Sequence, residues 1–200
     1  CSGLVGSEMC IRDRLRGVQE PLENMFFAGN EDLYAYRYDW DNLRDFFVGD
    51  FRKIIGAAHA LEIPMISGDY SLAEEFAWII YPRSPSKRFV SKNMMNFWTE
   101  FARNGEPGKS SNDVIWVKYN PMAAKSILHI DEKKNLRIDN LDLNMQELVS
   151  GILSSAIIDT EEKCILLYET TNYIGDDSFE KYVKDLNFKF EIFLFSFLVL

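Results

Sequence analysis

Cysteine is scarce in this chain: Cys1, Cys10 and Cys164 are the whole supply in 200 residues, with no C-x-x-C pair and no Cys/His cluster. Neither a zinc site nor a disulfide framework finds support in that pattern. Positive charge is also short, at 22 Lys plus Arg against 31 Asp plus Glu, a net −9 at pH 7 that argues against nucleic acid as a partner. No N-x-[ST] acceptor occurs, which speaks against a heavily glycosylated surface protein. No apolar run approaches the roughly 20 residues of a membrane-spanning helix, and no apolar region before a small-residue cleavage site marks a signal peptide. Several chemical signatures are missing as well. G-x-G-x-x-G and H-E-x-x-H do not occur, and the Gly-Lys-Ser of residues 108–110 has Arg103 where a phosphate-cradling loop needs its first glycine. No serine stands in G-x-S-x-G, the strand-to-helix elbow that exposes a hydrolase nucleophile.

What is present describes a folded domain. Hydrophobic residues at 47% and charged residues at 26% are close to globular averages, so disorder and fibrous architectures are disfavoured. A chain of this length can bury about 70% of the surface it exposes when unfolded. The two ends differ from the rest. Residues 4–14 resemble translated adaptor sequence, so residues 1–14 are expected to be a non-native leader that contributes nothing to the core. Residues 187–200 form an apolar tail of open origin, compatible with a buried terminal strand or helix and equally with a frame-shifted end.

Between the ends the pattern is mixed α/β. Residues 33–39, rich in tyrosine, read as a central strand. Pro64 is expected to close any helical turn before it. Residues 91–104 are the clearest helix, with Met94, Met95, Phe97, Trp98, Phe101 and Ala102 as the apolar face and Gly105 as the stop. Residues 105–111 form a loop. Residues 115–119, 126–130 and 135–139 read as strands, the last two as a hairpin around 131–134. Residues 141–155, 161–170 and 178–186 read as helices. Asp39, Asp41, Asp45 and Asp50 lack the spacing and the glycine of a calcium loop and read as a solvated acidic stretch.

Two histidines remain. His129 lies in a candidate strand among charged neighbours and reads as structural or exposed. His59, in Gly56-Ala-Ala-His59, stands among small residues that leave its ring room, with Glu62 three positions on. By itself this pattern fits a core histidine better than a catalyst.

The weighting changes on resemblance. Asp32-Leu-Tyr-Ala-Tyr-Arg-Tyr-Asp-Trp40, then Gly56-Ala-Ala-His-Ala-Leu-Glu-Ile-Pro64 with Gly68, and then Met95-Asn-Phe-Trp-Thr-Glu-Phe-Ala-Arg-Asn-Gly-Glu-Pro107 resemble the C-terminal portion of type-B carboxylesterases, the cholinesterase-like α/β-hydrolases. The likeness covers roughly residues 20–170, and several motifs in order make it far more specific than any one alone. It implies a fold class of α/β, the end of an α/β-hydrolase sheet with C-terminal helices, with residues 15–186 as the hydrolase part. It implies a Ser–Glu–His triad whose histidine maps onto His59, with Glu62 in a supporting role. Triad order in this fold runs nucleophile, acid, histidine, so serine and acid are expected upstream. The substrate class is a small-molecule carboxylic ester, and no cofactor or metal is called for. The competing reading is a cholinesterase-like interaction module without catalysis.

Overall fold

The computed structural model describes residues 14–45, 49–58, 60–171 and 179. The chain divides into two compact units, one of residues Gln19–Asp142 and one formed by the segments before and after it.

The larger unit is built on a three-stranded sheet of order β1-β2-β3. β1 (Tyr36–Tyr38) runs parallel to β2 (Ser126–Ile130), pairing Tyr36 with Leu128, Arg37 with His129 and Tyr38 with Ile130. β3 (Arg137–Asn140) is antiparallel to β2 and closes the expected hairpin. The tyrosine-rich segment is therefore a strand, but not the central one: β2 holds that place, and all five of its residues are buried. The segment's pairing extends past β1 through Leu128 N–H to Ala35 O and Asp39 N–H to Ile130 O. A parallel pair needs a long crossover, and here it carries α2 (Phe51–Ile54), α3 (Ile63–Ser67), α4 (Ala77–Ile80) and α5 (Pro85–Asn104).

The helix boundaries follow local chemistry. Ser84 accepts a hydrogen bond from Lys87 N–H at 3.0 Å and Pro85 occupies the first turn, so α5 starts six residues before the sequence expectation. Gly105, at φ +73°, ends it in the left-handed region, as expected. Pro64 does not close a helical turn. It lies in the first turn of α3, where its missing N–H costs nothing, and Gly68 at φ +73° provides the stop. Residues 115–119 are not a strand either. Ile115 makes an isolated bridge to Lys109, and Trp116 and Tyr119 are drawn inward by their rings while Ile115 stays 58% exposed. The two inward rings are three residues apart rather than two, and the backbone bonds of the segment go to loop residues, Trp116 N–H to Gly108 O and Tyr119 N–H to Leu33 O.

The core of this unit is aromatic. Trp116 meets Phe97 edge to face at 5.4 Å and donates its indole N–H to Ala35 O at 2.9 Å, tying the segment before β1 to one 81 residues later. The face that α5 buries is Val90, Met94 and Phe97, whereas Met95 and Phe101 of the expected stripe are 37% and 46% exposed. Before β1 comes α1 (Glu20–Phe27), whose Glu23 shares the Lys125 ammonium, at 3.1 Å, with Asp142 after β3, at 3.2 Å.

The second unit is helical. α6 (Met145–Ser154) and α7 (Thr160–Thr171) match the two helices expected from sequence. Asn144 caps α6 by accepting from Gln146 N–H at 2.8 Å. Before α7, Asp159 and Glu162 form a reciprocal capping box, each carboxylate accepting the other's backbone N–H, at 2.9 and 3.0 Å. Leu148, Ile152, Leu167 and the free thiol of Cys164 form an aliphatic cluster, and burial raises the Cys164 pKa. The expected helix at 178–186 lies outside the described residues except for Phe179, and so do residues 1–13 and the tail at 187–200. Among the described residues no helix is long and apolar enough to cross a membrane.

Candidate active-site segment

His59 lies outside the described residues, and the site is built from what flanks it. β1 leads through Asp39 and Trp40 toward α2, and the chain then turns at Gly56, φ +59°. Ala60, directly after His59, sits at φ +70°, a left-handed conformation that costs an alanine about 1–2 kcal/mol. Strain of this kind persists only where the surroundings over-determine it, and they do so here. Tyr81 donates its hydroxyl to Leu61 O at 3.1 Å, and Ser91 of α5 donates to Met65 O at 3.0 Å, with Met65 fully buried between. The segment that follows His59 is thus pinned by side chains from two helices' worth of later sequence.

Glu62 is half-buried at the head of α3. Its charge reaches three tyrosines. Burial first, and Glu62 after it, raises the Tyr36 pKa; burial, Tyr70 and Glu62 push Tyr81 up to about 12. Tyr38 is raised furthest, chiefly by burial, and its hydroxyl is buried without a hydrogen-bond partner. These phenols stay protonated at any physiological pH and remain neutral groups within the reach of the Glu62 charge. Sequence reading singled out Glu62 but not this tyrosine setting, although the Tyr-x-Tyr alternation of Tyr36 and Tyr38 was the available signal.

The acidic stretch is not simply solvated. Asp39 Oδ2 lies 2.5 Å from Arg37 Nε and 2.6 Å from His129 Nε2, and Asp50 caps α2 by accepting from Lys53 N–H at 3.3 Å. Asp41 keeps the solvent-side role, 4.0 Å from an exposed Arg52. His129 is buried, at 6% exposure, and the carboxylate beside it is that of Asp39. Among the described residues no three His, Cys, Asp or Glu side chains are grouped to hold a metal ion.

On the same unit an apolar groove of about 330 Å³ opens between α1, β1 and α5, lined by Met25, Tyr34, Tyr36, Trp98, Phe101 and Trp116, with Asp32 as its carboxylate. Such a wall accepts an apolar group and offers little to a charged one.

Residues 17–148 match the model of the carboxylesterase family. Among solved structures the chain is similar to a thermophilic PNB esterase, with 24% identity and a TM-score of 0.39 over 54% of this chain and 19% of that one. It is similar to another PNB esterase structure at 23% identity, with the same TM-score and coverage. The chain thus spans about a fifth of the length of these esterases. A comparison with curated proteins gave no match.

Proposed function

Because the chain belongs to the carboxylesterase family, we propose that it is the C-terminal part of a serine carboxylic-ester hydrolase and supplies the triad histidine, His59. The observation that carries this reading is the family match across residues 17–148, which includes the Gly56-to-Pro64 segment. A serine hydroxyl is a poor nucleophile at neutral pH, and an imidazole whose ordinary pKa is near 6.5 can take its proton and later deliver it to the leaving alcohol. In this reading an upstream serine forms the acyl-enzyme, an upstream carboxylate holds the imidazole tautomer, and water completes hydrolysis. Glu62 supports the histidine from behind, without joining the triad. Residues 15–186 are the hydrolase part, residues 1–14 a non-native leader and residues 187–200 an apolar tail of open origin. The 200-residue chain alone is inactive, since no G-x-S-x-G lies within it.

The test is ester hydrolysis by the chain joined to its upstream sequence, against the His59→Gln variant. Loss of a triad member costs on the order of 10⁴–10⁶ in kcat, and the melting curve should be unchanged. Activity within about tenfold of the parent would remove His59 from the mechanism. A completed chain that lacks an elbow serine and turns over no ester would favour the interaction module.

A further inference from the structure

His129 occupies an unusual place for a titratable group. The strand registers put Arg37, His129 and Arg137 in one row across β1, β2 and β3. Two carboxylates serve the row: Asp39, whose Oδ2 is shared between Arg37 Nε at 2.5 Å and His129 Nε2 at 2.6 Å, and Asp139, 3.2 Å from the Arg137 guanidinium. Asp131, directly after β2, is the remaining charge that the imidazole feels. The ring is 6% exposed, and neither of its nitrogens has a well-aligned hydrogen bond.

We propose that His129 and Asp39 form an acid-sensitive tie between β1, the strand that leads toward His59, and the β2–β3 hairpin, firm while the imidazole is neutral and weakened when it gains a second ring proton. The neutral ring places an N–H toward Asp39 and leaves Nδ1 as a bare acceptor, the lesser cost. Protonation creates a buried Nδ1–H donor with no acceptor and sets a third cation between two guanidiniums. Asp39 cannot offset this fully, because the same oxygen already serves Arg37. Burial, opposed by Asp39 and reinforced by Arg37 and Arg137, accordingly lowers the His129 pKa, with Asp131 opposing weakly. The folded state then disfavours the proton that the unfolded chain accepts. The stabilisation is complete above the unfolded value near 6.5 and is lost as pH falls below it. This device concerns the sheet and stands whether or not His59 serves in ester hydrolysis.

Thermal midpoints of the 200-residue chain between pH 7.5 and 5.5, above the range where ordinary carboxylates titrate, test it. The parent and the His59→Gln variant should both lose several degrees on acidification, and His129→Gln should hold a nearly constant midpoint. The imidazole resonances of the folded parent give a second reading that needs no variant: His129 should titrate below 6.5. Persistence of the full acid loss in His129→Gln, or a His129 titration at or above 6.5, would overturn the proposal.

Discussion

The two units of this chain solve the same burial problem in different currencies. In residues 19–142 the core is aromatic and its contacts are distant in sequence: β1 pairs with a strand some ninety positions on, and Trp116 closes over Ala35. In residues 143–171 the cluster is aliphatic, made by two adjacent helices, each with its own cap. The first gains stability only when far segments meet, so a single ring holds many partners at once. The α6–α7 cluster joins helices adjacent in sequence and can form in shorter steps, although its unit also takes in the segment before Gln19. All four tryptophans, Trp40, Trp78, Trp98 and Trp116, lie in the first unit, so indole fluorescence reads that unit alone.

The sharpest way to break the comparison is Trp116→Ala. It removes a large buried ring and one of the two donors to Ala35 O, which keeps the Leu128 N–H, at an expected cost of about 3–5 kcal/mol, mostly from the lost packing. The fluorescence transition of the variant in urea should shift accordingly; a shift under about 1 kcal/mol would show that the aromatic core is not organised around this ring.

In the helical unit, Leu167→Ala should cost about 2–3 kcal/mol, read as lost hydrogen-exchange protection in α6 and α7. If protection there stays at the parent level, the aliphatic cluster does not depend on α7 packing.

The smallest effect separates a cap from a core. Ser84→Ala should cost about 1 kcal/mol by leaving the Lys87 N–H unmet at the start of α5. Restoration by Ser84→Asp, which can accept the same bond, would identify the cap as the cause, and failure of that rescue would assign the loss to packing.

The contrast also explains what the sequence disclosed. α6, α7, the β2–β3 hairpin and the Gly105 stop were legible because each is specified within a few residues. The rank of the strands was not: nothing local tells Tyr36–Tyr38 that Ser126–Ile130 will take the middle of the sheet. Residues 115–119 have strand-like composition, yet their backbone bonds go to Lys109, Gly108 and Leu33 outside any strand, and composition alone does not reveal that. Pro64 was misread because a proline near a helix marks either its first turn or its end. At the candidate site, the sequence offers the small-residue turn and Glu62 as proposals only, whereas the Arg37–Asp39–His129 cluster needs the register of the strands.

Lys125 has a consequence for the larger unit as a module. Its ammonium lies between Glu23, near the unit's first residue, and Asp142, its last. The polypeptide therefore enters and leaves this body at one spot, like a loop of thread drawn closed. A stretch with adjoining entry and exit can be spliced into another host, or have its ends joined and be reopened elsewhere, at small entropic cost. The same closure makes residues 19–142 a natural piece to excise as one continuous segment.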